Sequence, residues 1–280
     1  MPAGTVLITG SSTGIGEATA IHLKGLGFDV HAGVRKDDDA ERLSGMGLTP
    51  VKLDVTDADS IASARAEVEE ASAGRLAALV NNAGIAVAAP LEYLPIDQLR
   101  NQLEVNLIGQ VAVTQAFLPM LRAAKGRLVN VSSIGGRIAL PLAGPYAASK
   151  FALEAVSDSL RRELRHLGVE VIVIEPGGIK TPIWQKGNAT ADEMLKDVPY
   201  EAEQLYGDLI QAVRAETVKI EQERGLPPSA VAEVIGTALT AGKPKTRYLV
   251  GRDAKLRAAI AKRVPDRTMD SLIARALSGD

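Results

Sequence analysis

The sequence predicts a doubly wound α/β fold, one parallel sheet of about seven strands with helices on both faces. Three observations predict it. Short apolar runs alternate with helix-like segments along most of the chain. The run Val171, Ile172, Val173 and Ile174 is continuously apolar, as a strand covered on both faces must be. The first run leads into a glycine-rich turn and then a helix, the layout that lays a pyrophosphate on a helix N-terminus.

Strands are expected near 5–9, 28–33, 50–53, 77–81, 127–132, 169–174 and 247–250. After the first come Thr9, Gly10, Ser11, Ser12, Thr13, Gly14, Ile15 and Gly16, and then a helix opening at Glu17. Glycines there permit a tight turn and a close approach of backbone to phosphate. Their spacing is G-x-x-x-G-x-G, not G-x-G-x-x-G. The second strand runs out into Val34, Arg35 and Lys36, and then Asp37, Asp38 and Asp39, which either neutralise those cations or cap the next helix. The fifth ends in Ser132 and Ser133, and ligands of open α/β sheets sit at such carboxyl ends.

A helix is expected from about 145 to 167. Phe151, Ala152, Ala155, Val156, Ser159 and Leu160 put small and apolar residues on more than one of its faces. Simple packing on the sheet explains this, and so does burial against a second subunit. The periodicity changes after Pro176. A polar stretch at 186–193 precedes a helical pattern at 202–223, and Pro227, Pro228 and Ser229 are expected to stop one helix and cap the next. Residues 183–230, just after a strand end, are well placed to be a substrate lid. The basic amphipathic stretch 255–264 is expected to pack its apolar stripe on its own domain.

A chain of 280 residues fits one such domain. A net charge of −2 gives no reason to expect nucleic acid. The absence of cysteine excludes disulfides and thiolate catalysis. His22, His31 and His166 are scattered, so no metal site is expected. No apolar run approaches the roughly 20 residues that span a bilayer, and no signal peptide is visible. The expectation is a cytoplasmic protein with no transmembrane segment.

Tyr146 and Lys150 stand four apart, on one face of the 145–167 helix. A nearby ammonium favours a phenolate and lowers the phenol's pKa, so the tyrosine can exchange a proton with an alcohol near neutrality. Ser133 precedes Tyr146 by thirteen residues. With the glycine turn, Asp54, the run Asn81, Asn82, Ala83 and Gly84, Asn106, and Pro176 with Gly177, these residues resemble the short-chain dehydrogenase/reductase family. The match covers roughly residues 4–185. Segments at 157–164, 237–241, 244–248 and 253–256 are similar to the retinol and hydroxysteroid dehydrogenase-like branch. Membrane-bound members of that branch begin with an apolar anchor, whereas this chain starts almost at once with its first strand.

The resemblance implies a Rossmann sheet with a small C-terminal helical lid, and hydride transfer between a nicotinamide and a carbinol or carbonyl carbon. It makes Tyr146 the general acid/base, Lys150 its tuner and a ribose ligand, and Ser133 the donor to the substrate oxygen, ahead of Ser132. Asn106 would hold a water linking Lys150 to solvent, or simply kink a helix. Gly10, Ser12, Thr13, Gly14, Ile15 and Gly16 would cradle the cofactor. Asp54 and Val55 would flank its adenine, and Asn81, Ala83 and Gly84 its ribose. Pro176, Gly177, Ile179 and Thr181 would hold its carboxamide end. Val34 stands where NAD-preferring relatives place Asp, and Arg35 and Lys36 follow, so NADP(H) is favoured over NAD(H). Ala139, Leu140, Gly144, Gly178, Ile183 and Trp184 would face the substrate beside Ser133 and Tyr146. The list is mostly apolar, so a small lipophilic alcohol or ketone follows, with steroid, retinoid and aliphatic substrates open. A homo-oligomer, dimer or tetramer, built on the 145–167 helix is also implied. Two alternatives stand beside this reading, a sugar-nucleotide epimerase and a nucleotide-sensing regulator on a dehydrogenase scaffold. The glycine spacing opposes the first, and the presence of Ser133, Tyr146 and Lys150 together opposes the second.

Overall fold

The computed structural model describes residues 4–196, 199–261 and 263–278. The strands are β1 (Thr5–Ile8), β2 (Asp29–Val34), β3 (Thr49–Lys52), β4 (Leu76–Asn81), β5 (Arg127–Val131), β6 (Glu170–Pro176) and β7 (Arg247–Val250). They form one seven-stranded parallel sheet in the order β3-β2-β1-β4-β5-β6-β7. Every expected strand is present, each within two residues of its expected bounds. The order reverses between β1 and β4, so the loops leaving their carboxyl ends diverge and open a crevice.

The helices are α1 (Gly14–Gly25), α2 (Asp37–Gly45), α3 (Ala58–Ala71), α4 (Ile96–Leu103), α5 (Gly109–Ala124), α6 (Gly144–Leu164), α7 (Ile183–Leu195), α8 (Tyr200–Lys219), α9 (Pro228–Thr240), α10 (Arg252–Ala261) and α11 (Asp266–Ser278). Side chains alternate across a strand, and β1 shows the result. Val6 and Ile8 pack with Leu23 of α1 and with Val231 and Ile235 of α9. Leu7 packs on the opposite face with Val68 of α3, Phe117 of α5 and Leu164 at the end of α6. Both faces are therefore dry, which is why the strands read as unbroken apolar runs.

Several sequence expectations need correction. A π-helical turn, Glu104–Ile108, joins α4 to α5. The joined helix Ile96–Ala124 has a window of mean hydropathy 1.2, long and apolar enough by length and composition to cross a membrane, with 39% of that window buried. No such stretch was expected, because Gln102, Asn106, Gln110 and Thr114 interrupt the apolar residues. Those four are themselves buried, and Val113, Phe117 and Leu121 pack on the sheet, as in a core helix. The polar residues 186–193 lie within α7 instead of forming a loop. Lys186, Asp192 and Glu193 are exposed, whereas Asn188 and Thr190 are half-buried and Ala191 is buried. Ser229 caps nothing. Pro227 holds the cap position and Pro228, whose ring fixes a helical φ, opens α9. The basic stretch begins earlier than expected, at Arg252, and Ala254 and Ala258 pack on Ile134. Lys262 of that stretch lies outside the described residues.

Candidate active site

The glycine turn is clamped from β4. Thr9 Oγ1 accepts hydrogen bonds from the Asn82 and Ala83 amides, both at 2.9 Å. Asn82 Nδ2 donates to the carbonyls of Thr9 and Gly10, both at 3.0 Å. Gly10 has φ +66, and a Cβ there would fall 2.7 Å from Ala83 Cα, so only glycine fits. Gly14, with φ +62, opens α1, and a Cβ there would stand 3.3 Å from Thr181 on the far lip of the crevice. Gly16 presses on the Gly10 carbonyl. Thr13 precedes α1 in an extended conformation and gives it no side-chain cap. The first-turn amides of α1 therefore lack the partner that a cap would supply, at the positive end of the helix. Gly10, Ser12, Thr13, Gly14, Ile15 and Gly16 all lie on this one turn, and they fit a dinucleotide pyrophosphate.

Val34, the last residue of β2, is buried, and Arg35 after it is 69% exposed, its guanidinium 3.8 Å from Asp54. Lys36 precedes α2. Asp37, Asp38 and Asp39 form the first turn of α2, where their charge suits the helix dipole. Asp37 pairs with Lys52 at 2.5 Å and Asp39 with Arg42 at 3.7 Å. No side chain caps α2, Asp37 and Asp39 pair with cations other than Arg35 and Lys36, and Arg35 stays largely exposed beside Asp54. Burial raises the Asp54 pKa, but bonds from Thr56 and the Arg35 charge outweigh it and hold the carboxyl below its usual range.

Two expected cofactor residues are turned away. Val55 puts its side chain into the core, which leaves only its main chain to flank an adenine. Asn81 is 1% exposed. Its Nδ2 donates to Thr114 Oγ1 at 2.8 Å and to Asn130 Oδ1 at 3.0 Å, so no side-chain contact with a ribose is available. Asn130 continues the chain of bonds to Ser157 Oγ at 2.8 Å. The sequence gives these residues no distinguishing signal. Ala83 and Gly84 do reach the crevice side, next to Gly10 and Asn106.

Asn106 sits in the π-helical turn, fully buried. Its Oδ1 accepts from the Ile85 amide at 2.9 Å, and its Nδ2 donates to the Ile85 carbonyl at 3.0 Å and to Ser149 Oγ at 3.2 Å. Gln102 accepts from the Val87 amide at 2.7 Å and donates to the Ile85 carbonyl at 3.0 Å. Gln110 donates to the Ala83 carbonyl. These three amides fasten the loop after β4, and sequence reasoning had singled out only Asn106.

Ser133 follows β5, and its Oγ accepts from the Gly135 amide at 3.0 Å. Tyr146, in the first turn of α6, has its phenol influenced by the Ser133 hydroxyl, not by Ser132. Lys150 is 4% exposed. Its Nζ donates to the Val131 carbonyl at 2.9 Å and lies 5.8 Å from the Tyr146 ring centroid. Burial pushes the Lys150 ammonium down to about 8, against the opposing charge of Glu154. Burial also raises the Tyr146 phenol, which the Ser133 hydroxyl only partly offsets. The expected lowering of the Tyr146 pKa by Lys150 is therefore not what this arrangement shows. The ammonium stands over the ring, and desolvation is the larger effect.

Pro176, the last residue of β6, is buried, and the Gly178 amide beyond it donates to Asp253 Oδ2 at 2.9 Å. The Ile179 side chain is in the core, so it offers the crevice only main chain. Trp184 Nε1 donates to the Ile179 carbonyl at 2.7 Å, which ties α7 to this loop. Ala139 is exposed and so is Leu140, at 38%, on the loop before α6. Gly144 faces Leu91, Gly178 faces Ile220, and Ile183 and Trp184 are half-buried. A small cavity of about 30 Å³ lies under α8, lined by Ala88, Ala89, Leu142, Ala191 and Ile210 among others. None of the expected substrate residues lines it. Its wall comes from residues 88–90 of the loop after β4, from Leu142, and from α7 and α8.

The fold and this constellation define an oxidoreductase with a dinucleotide crevice. The short chain dehydrogenase family profile matches residues 4–192. The NADPH-dependent 3-dehydrocapnine reductase of Ornithobacterium rhinotracheale is 39% identical, covering 95% of this chain and 94% of its own. Retinol dehydrogenase 16 of Homo sapiens is 40% identical, covering 90% of this chain and 81% of its own. A short chain dehydrogenase from Burkholderia cenocepacia, solved in complex with NADP, has a TM-score of 0.73 at 27% identity, over 99% of both chains. The chain belongs to the short-chain dehydrogenase/reductase family, in its retinol and hydroxysteroid dehydrogenase-like branch.

Proposed function

We propose that this protein is an NADP(H)-dependent oxidoreductase that interconverts a lipophilic alcohol and its carbonyl. The observation that carries the proposal is the contact of Tyr146 with Ser133 beside a buried Lys150, at the carboxyl end of β5. The glycine turn and the uncapped start of α1 would hold the pyrophosphate, and Arg35 and Lys36 the 2′-phosphate. NAD(H) is the alternative cofactor. Bound there, the nicotinamide gives or accepts the hydride. In the reducing direction the Tyr146 hydroxyl gives its proton to the carbonyl oxygen, and Ser133 Oγ steadies that oxygen with a hydrogen bond. The raised Tyr146 pKa suits it to act as the acid in that direction. Lys150 keeps its charge beside the developing phenolate.

Residues 183–230 are read as a substrate lid. Tyr206 of α8 rests edge-on against Tyr93, and its hydroxyl donates to Glu92 at 2.8 Å, a light surface latch over the loop after β4. The exposed face of α6, with Phe151 44% exposed, supports the expectation of a homo-oligomer. Cytoplasmic residence remains part of this reading. A panel of steroid, retinoid and aliphatic alcohols and carbonyls, followed by absorbance of the reduced nicotinamide with each cofactor, tests it. Nucleotide binding without turnover across the whole panel would overturn it.

A further inference from the structure

Behind the Tyr146–Lys150 pair lies a buried group of charges that the proposed chemistry leaves unused. Glu175, near the end of β6, is 0% exposed, and Glu154 stands one turn beyond Lys150 on α6. Arg137, just after β5, donates from Nε to Glu175 Oε1 at 2.7 Å. Arg247 of β7 lies between the two carboxyls, its Nε 3.0 Å from Glu154 Oε2 and 3.5 Å from Glu175 Oε1. Its other arm pairs with Asp158 of α6 at 2.9 Å. On α10, Asp253 is directed at Gly177, Gly178 and Gly251 instead.

One oxygen of each carboxyl, Glu154 Oε1 and Glu175 Oε2, is buried without a partner, and so is Ser132 Oγ. Gly136 allows the crowding. A Cβ there would lie 2.9 Å from Ser132 Oγ and 3.1 Å from Glu154 Cγ. Two bare buried carboxylate oxygens are costly, and a single proton turns one of them into a donor for the other.

We propose that Glu154 and Glu175 are positioning residues, Glu175 holding a proton against Glu154 so that the charge left on Glu154, one turn from Lys150, keeps Lys150 an ammonium. Burial and the Glu154 charge push Glu175 up to about 7, against the pull of Arg137. Glu154 is the charge that favours the lysine's ammonium form. The Glu175 carboxyl is therefore poised to hold its proton near neutrality.

The inference rests on Tyr146 and Lys150 being the proton-handling pair, so Tyr146→Phe is measured beside it. Infrared difference spectra of the unliganded full-length protein across neutral pH are expected to show a protonated-carboxyl band. Both Glu154→Gln and Glu175→Gln lose it, because the carboxylate left behind is ionised by its arginines. Carbonyl reduction with NADPH is then followed against pH, with the carbonyl that turns over in the panel above. In Glu154→Gln the alkaline limb of kcat/KM moves down by about one pH unit, and Glu154→Asp restores most of it. Glu175→Gln leaves the charge on Glu154 and keeps the limb at or above its original position. A purely structural role would lower the rate at every pH and leave the limb in place. Absence of the band, or an unmoved limb in Glu154→Gln, overturns the inference. If Glu154→Gln does not fold, Glu175→Gln decides: loss of the band with an undiminished limb supports the pair, and a retained band or a lowered limb overturns it. Turnover surviving in Tyr146→Phe would instead overturn the assignment of the site, and the carboxyl band would be unaffected.

Discussion

Lys150 holds its ammonium 5.8 Å from the centre of the Tyr146 ring while bonding the Val131 carbonyl at 2.9 Å. The lysine is thus fixed by the strand that delivers Ser133, whose hydroxyl in turn acts on the Tyr146 phenol. One strand end sets the geometry of all three groups.

Tyr146→Phe is expected to lower turnover by about a hundredfold or more while cofactor binding persists, since the ring still packs and only the proton is lost. Steady-state rates with fluorescence titration of the reduced cofactor check this. A rate within about tenfold of the original would remove Tyr146 from its role.

Lys150→Met tests the cost of burying that charge. The folded pKa, about 8, lies below the ordinary 10.5, so the unfolded chain binds the extra proton between those values. Stability due to this group is therefore lowest below about pH 8 and rises as pH climbs through that window. The burden is on the order of 3 kcal/mol, offset in the variant by about 1–3 kcal/mol for the stranded Val131 carbonyl. Thermal midpoints of the two proteins should diverge with pH, the variant losing ground as pH rises above about 8. A midpoint difference independent of pH would show that Lys150 is not held in a depressed state.

Arg35→Ala and Asn82→Ala should separate two kinds of cofactor contact. If the exposed Arg35 guanidinium meets the 2′-phosphate, its loss weakens NADP by roughly ten- to hundredfold and NAD hardly at all. Asn82 braces the glycine turn through two carbonyls, so its loss weakens both cofactors by a similar factor, about tenfold. Calorimetric titration of each variant with each nucleotide checks the contrast. Equal losses in Arg35→Ala would return that residue to the solvent.

If residues 183–230 close over substrate, amides of α7 and α8 should exchange faster than those of α5 and gain protection when cofactor and substrate bind together. Trp184, the one tryptophan, reports the same closure by fluorescence. Full protection in the unliganded protein would make this segment fixed structure, and selection of substrate would lie elsewhere.

The sequence made legible what local pattern encodes. The seven strands, the glycine turn before α1 and the Tyr146–Lys150 spacing are all set by short-range chemistry. Illegible were features that depend on partners far away in the chain. Asn81 and Val55 occupy familiar positions but turn inward, because Thr114, Asn130 and the α3–α5 core are there to receive them. Gln102, Gln110, Asn130 and Ser157 read as ordinary polar residues, and only the tertiary fold buries them with partners. The helix over 186–193 was hidden because its composition is polar, while Ala191 and Met194 supply its inner side.

The π-helical turn at Glu104–Ile108 has a consequence for any redesign of this protein. Gln102, Asn106 and Gln110 follow one another at steps of four, and each grips the loop after β4. In a regular α-helix, steps of four drift by about 40° each, so three such side chains would fan away from a common target. The wider turn cancels part of that drift, like a leap day inserted in a calendar. A sequence optimised for ideal helical geometry here would put the three amides out of phase and release the loop. Residues 82–90 and 102–110 therefore form one heritable unit, and a graft that moves either must carry the other.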